Sequence, residues 1–145
     1  MEDTIQNIRS KMIWLTANPA KLFMLDGAGA FLDAFLLGAI LANFEEVFGM
    51  PSAVLYFLSA MAFFYGIYSL SCAYFVTRSW RPFMVLIVVA NFLHGCLTIG
   101  LVVYHFHRLT VLGVVFFVLE ILVLGCVVFL EVRALGRKDG YFDAA

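Results

Sequence analysis

Four long apolar runs occupy the chain between residues 22 and 133, separated only by the short links EEVFGMP, TRSWRP and HFHR. The runs are continuous and do not alternate with period two, so they predict helices and not barrel strands. About 20 apolar residues are needed to cross a hydrocarbon core of roughly 30 Å. Spans are predicted at about 22–44, 52–76, 82–104 and 109–133. Pro51 and Pro82 suit the first turns of new helices, Thr110 is a candidate cap, and Gly136 a stop. Short links force antiparallel neighbours, so the expected fold is an all-α, transmembrane up-down four-helix bundle.

Residues 4–17 follow a different pattern. Ile5, Ile8, Met12 and Leu15 recur on one helical face, with Gln6, Asn7, Arg9, Ser10 and Lys11 on much of the other. This predicts a short amphipathic helix lying on the membrane surface, broken at Asn18-Pro19. It does not read as a signal peptide, because its apolar core comes late and no small-residue cleavage site follows. The domains are therefore residues 1–18, an N-terminal helix; 19–136, one transmembrane domain; and 137–145, a tail.

Lys and Arg set the orientation. Arg9, Lys11, Lys21, Arg78, Arg81, Arg133, Arg137 and Lys138 lie on one side, and only Arg108 on the other. Both termini are expected in the cytoplasm, with the protein multi-pass in the inner (cytoplasmic) membrane. Trp14 and Trp80 sit where interfacial aromatics belong.

Composition agrees with this pattern: 64% of the 145 residues are hydrophobic and 13% are charged, against about half and a quarter in soluble domains. This length leaves no room for a separate soluble domain. A net charge of −1 gives no basic field for nucleic acid. Cys72, Cys96 and Cys126 are odd in number and form no CxxC pair, so they read as small core residues and not as a disulfide framework.

Acids inside the apolar runs change the picture most. An Asp at a helix centre costs about 2.5–3.5 kcal/mol on insertion scales, against roughly 0.3–0.6 kcal/mol returned by each Leu, Ile or Phe. The first run holds 11 of these and also carries Asp26 and Asp33, so it needs partners. Asp26 is expected near water at the inner end, Asp33 at mid-depth. At 1.5 Å per residue, Asp33 and Tyr65 lie roughly 16 Å deep, His94 roughly 18 Å and Glu120 roughly 20 Å. Each span thus brings one ionisable or hydroxyl group to the midplane, where such residues usually face the bundle interior and mark sites or proton paths.

The faces agree. Asn91, His94, Thr98 and His105 form a polar stripe on the third span. Tyr65, Ser69 and Cys72 share a face of the second, flanked by Tyr68 and Ser71. Asp26 and Asp33 share a face of the first, beside a small-residue ridge of Ala30, Ala34, Gly38 and Ala42. Glu120 and Glu131 are nearly aligned on the fourth, and a lower layer is expected to join Asp26 to Ser71. Burial disfavours charge, so Asp33 and Glu120 are expected as neutral acids, or with one ionised against protonated His94.

Other chemistry is weaker. His105 and His107 near Glu45 and Glu46 are candidates for an outer-face metal, but residues two apart do not share a helix face. Asp33, His94 and Glu120 suit zinc, iron or manganese by donor type, without an HExxH or ExxH spacing. Histidine occurs on the third run alone, which disfavours a bis-histidine haem within one chain; no particular cofactor is implied. There is no Walker loop, GxSxG or dinucleotide fingerprint.

The stretches LFMLDGAGAFLDAFLLG, EEVFGMPSAVLYFLSAMAFFYGIYSLSC, NFLHGCLT and LTVLGVVFFVLEI resemble the small uncharacterised bacterial integral membrane proteins with four spans. The resemblance implies the fold and brings no activity. Three functions follow from the residues. The first is a homo-oligomer that binds or translocates a proton-linked small solute, cation or lipid-like ligand through Asp33, Tyr65, His94, Glu120, Asn91, Asp26 and Tyr68. The second is an accessory or assembly subunit of a larger membrane complex, which the small size, the lack of soluble domains and the small-residue ridge fit. The third, disfavoured because no nucleophile motif accompanies the acids, is an enzyme acting on a lipid or quinone with Glu120 or Asp33 as acid/base.

Overall fold

A computed structural model describes residues 2–16, 18–76 and 79–136. The tail 137–145, with Arg137 and Lys138, lies outside the described residues, as do Arg78 and the side chains of Met12 and Leu15. The fold is all-α: a short N-terminal helix, Glu2–Thr16, then four long apolar helices packed as a bundle. The four helices, Pro19–Phe48, Ser52–Phe75, Arg81–Tyr104 and Val111–Leu135, are each long and apolar enough to cross a membrane.

Local chemistry explains the boundaries. Asn18 is extended, and its side-chain oxygen accepts the Ala20 N–H at 3.1 Å, capping the helix that Pro19 opens. Thr110 caps the fourth span by accepting the Gly113 N–H at 3.1 Å, while its hydroxyl donates to the Val47 carbonyl at 2.6 Å. That second bond ties the link after the fourth span's predecessor to the link after the first, so both lie at the same end of the bundle. Gly49 turns this corner at φ +80°, and a Cβ there would lie 2.0 Å from the Arg108 carbonyl oxygen. Only glycine meets both conditions.

The first span is not uniformly α-helical, as its apolar run alone would predict. Leu36–Ile40 forms a π-helical turn and Leu41–Phe44 a 3-10 turn before the helix resumes at Glu45. The irregularity begins one turn beyond Asp33, and such bulges are frequent at functional sites.

The first and second spans pack most closely, as do the third and fourth; the two pairs meet across a looser seam. Small residues make the first pairing possible. A Cβ on Gly38 would lie 2.5 Å from Ser59 Oγ, and one on Gly66 3.0 Å from the Phe31 ring. Ser59 and Ser69 donate across the same contact to the carbonyls of Ala34 and Phe23, at 2.7 and 2.9 Å. Ala34 and Ala42 are buried. Ala34, Gly38 and Ala42 of the ridge expected as a docking face are thus covered inside the chain, while Ala30 lines the seam toward the fourth span.

Two apolar clusters close the ends of the bundle. Leu37, Leu41, Met50, Leu55, Leu58 and Phe117 fill one; Leu22, Phe23, Cys72, Met84, Ile87 and Ala134 fill the other. Outward-facing Leu32, Phe64, Phe92 and Val123 are largely exposed, as a lipid-facing surface requires. The core reading of the cysteines holds for Cys72; Cys96 and Cys126 are exposed and face outward. The N-terminal helix touches the first and fourth spans. Lys21 Nζ lies 3.1 Å from the Trp14 ring centre, while Ile5 and Ile8 remain exposed.

Candidate functional site

The looser seam carries the polar residues. His94 of the third span points between the first and fourth. Its Nε2 lies 3.8 Å from Asp33 Oδ2 and 3.9 Å from Glu120 Oε1. The His94 and Glu120 side chains are 4% and 8% exposed, and Asp33 22%. Tyr65 of the second span meets the His94 ring edge-on at 5.9 Å between centres. The four residues matched by depth in the sequence are therefore neighbours in space.

Helix geometry explains the convergence. Asn91, His94 and Thr98, spaced three and four apart, form the buried stripe of the third span. On the fourth span, Glu120 and Glu131 both turn inward, Glu131 with no exposure at all. His105 continues the third-span stripe only in part: it sits past the helix end, with Nδ1 3.0 Å from the Leu101 carbonyl oxygen.

The distances around His94 are too long for hydrogen bonds. Neither ring nitrogen and neither Glu120 oxygen has a hydrogen-bond partner. Among the described residues no Lys or Arg lies in the central turns of the four spans, so His94 is the one described side chain at this level able to carry positive charge. Two carboxyls and an imidazole face one another across a gap that one further atom would bridge.

Nearer the termini is a second polar layer. Asn91 Nδ2 donates to Asp26 Oδ1 at 2.6 Å, linking the third span to the first. Glu131 reaches the same neighbourhood from the fourth span, where Asp26 and Asn91 act on it electrostatically. Both Glu131 oxygens and Asp26 Oδ2 are without hydrogen-bond partners.

This layer corrects two expectations. Asp26 is not exposed at the inner end: it is buried inside the bundle, 4% exposed. Nor does it pair with Ser71, which is exposed and donates to the Ile67 carbonyl of its own helix at 2.7 Å. The buried stripe of the second span runs Ala62, Gly66, Ser69, Cys72, and Ser71 falls on the opposite side of the helix. Glu131 was missed as a site residue. Its alignment with Glu120 was the available signal, masked by its place only a turn from the helix end.

A cavity of about 350 Å³ joins the layers. Asp26, Asp33, Tyr65, Asn91, His94 and Glu120 line it, together with Leu32, Leu119 and Val123, which face outward. It thus opens sideways between the first and fourth spans. A smaller cavity of about 240 Å³ lies between the second and third, lined by Tyr68, Leu86, Ile87 and Ala90 and sharing Asp26, Tyr65 and Asn91 with the first.

Among the described residues, Asp33, His94 and Glu120 are the one group of His, Cys, Asp or Glu able to share an ion. His105 and His107 form no such group with Glu45 and Glu46. Glu45 instead accepts the Ser52 N–H at 3.0 Å and lies 3.8 Å from Arg108. No family model, no curated protein and no solved structure matches the chain.

Proposed function

We propose that the protein is a membrane binding or translocation module whose midplane pocket takes a cation or a small cationic solute. One observation carries the reading: Asp33, His94 and Glu120 converge from three spans with no Lys or Arg at their level. Two carboxyls in a low-dielectric setting need balancing positive charge. Protons or a bound cation provide it, and their competition for the same oxygens makes binding proton-linked. The sideways opening, lined by apolar side chains, supports entry from the bilayer, and about 350 Å³ lies within the usual range of small-ligand pockets. The Lys and Arg bias supports an orientation with both termini in the cytoplasm.

Tetraphenylphosphonium, a lipophilic monovalent cation, is a suitable probe. The full chain in nanodiscs is expected to bind it saturably, and Asp33→Asn with Glu120→Gln to weaken binding more than roughly tenfold, the loss of about 1.4 kcal/mol or more. Equal binding by wild type and double variant would refute the reading. An accessory or assembly subunit of a larger membrane complex is the second reading; the packing of Ala34 and Gly38 against the second span leaves less of the ridge for a partner.

A further inference from the structure

The charge and size of the ligand can be narrowed from the donor set itself, on the reading that the pocket binds cations. We infer that Asp33, His94 and Glu120 form a binding site for a divalent first-row transition metal ion. One imidazole nitrogen and two carboxylate oxygens, from three different helices, lie within 4.8 Å of one another. Tetrahedral bonds of about 2.1 Å place donor atoms roughly 3.4 Å apart. The His94 nitrogen lies 3.8 and 3.9 Å from its two oxygens and no donor pair exceeds 4.8 Å, so closing on an ion takes about half an ångström at the two His94 pairs and up to about 1.4 Å between the carboxylates, within the range of side-chain rotation.

Burial supplies independent support. His94 is 4% exposed, yet neither of its ring nitrogens has a partner. The Glu120 oxygens are also buried and unpaired. Buried polar atoms in this condition call for an explanation such as an ion or water. A divalent ion satisfies His94 Nε2 and both carboxylates at once, and its two charges balance theirs.

The chemistry selects the class. Imidazole with carboxylates suits zinc, manganese and iron. Calcium takes six to eight oxygens, more than this set offers. Magnesium favours oxygen ligands and leaves the imidazole without a role. Three protein ligands leave at least one coordination position free, and the adjoining cavity gives room for water or an exchangeable ligand there.

Cobalt(II) is the direct probe, because its visible absorption reports nitrogen and oxygen coordination. The full chain in nanodiscs is titrated with Co²⁺ alone, beside His94→Gln, Glu120→Gln and the paired variant His105→Gln/His107→Gln. The expected result is one Co²⁺ per chain, with affinity lowered more than roughly tenfold in the first two variants and unchanged in the third. Absence of Co²⁺ binding by wild type, or binding lost in the His105/His107 pair and kept in His94→Gln, would overturn the metal site. Tetraphenylphosphonium on the same wild-type sample separates the two levels. Its binding without Co²⁺ binding removes the metal site and leaves the cationic pocket; binding of neither removes both.

Discussion

Asn91 and Asp26 sit 65 residues apart in the chain and share a buried 2.6 Å hydrogen bond that fastens the third span to the first. The bond crosses the seam where the two helix pairs meet least closely, so it bears on how they are held together. Replacing Asn91 by Leu removes the donor to Asp26 Oδ1 and leaves that buried carboxyl oxygen without it, beside an Oδ2 that already has no partner. An unsatisfied buried group costs about 1–3 kcal/mol, and Asn91→Leu is expected to lower stability by that amount. Asp26→Leu in the same background should recover part of the loss, since the stranded group is then gone. Thermal unfolding in detergent of the two single variants and the pair gives the coupling; equal additive losses would show that the bond is not what joins the pairs.

Glycines offer a sharper contrast. At Gly49 a methyl group meets the Arg108 carbonyl oxygen at 2.0 Å and φ is +80°, whereas at Gly100 it meets nothing within 4 Å. Gly49→Ala should destabilise by more than about 1 kcal/mol, from αL strain together with a backbone clash. Gly100→Ala, near the end of the third span, should be neutral or stabilising by up to about 1 kcal/mol. Melting temperatures of both, measured side by side, check the corner that brings the first and third links together.

Periodicity and depth counting made much of this legible. The seven-residue spacing of Asp26 and Asp33, the Asn91–His94–Thr98 stripe and the level of Glu120 all follow from helix geometry, and all four spans appear within a few residues of their expected places. Pairings across helices were not legible, because they depend on rotations that one-dimensional spacing leaves free. Asp26 looked close to water by depth alone; it is buried in the bundle, where Asn91 of the third span donates to it. Gly38 belonged visibly to a small-residue ridge, but the ridge did not say whether its partner was another chain or, as found, Ser59. The π-helical turn at Leu36–Ile40 changes which backbone groups bond, and the apolar pattern carries no trace of that.

Among the described residues Glu131 is the least exposed acid, with no exposure and no hydrogen-bond partner for either oxygen. A buried polar group left without hydrogen bonds costs about 1–3 kcal/mol, which an apolar side chain of similar size does not incur. Glu131→Met is therefore expected to raise the melting temperature. A structural role for Glu131 in holding the spans together predicts the opposite sign, so the direction of the shift decides whether this acid is kept at a cost to stability.

The cavity itself is testable without touching any acid. Gly29 lines it, and a Cβ there meets nothing within 4 Å, so a larger side chain has room to grow into the opening between the first and fourth spans. Gly29→Leu should leave the fold intact and favour the helix by up to about 1 kcal/mol. It should also block access to Asp33, His94 and Glu120. If these residues only bind helices together, Gly29→Leu raises the melting temperature slightly and alters nothing else. If the seam is a binding site, the same variant keeps its stability and loses tetraphenylphosphonium binding by more than roughly tenfold, or about 1.4 kcal/mol. Stability and binding then move in different directions in one protein, a separation that polar residues serving purely as interhelical contacts do not produce.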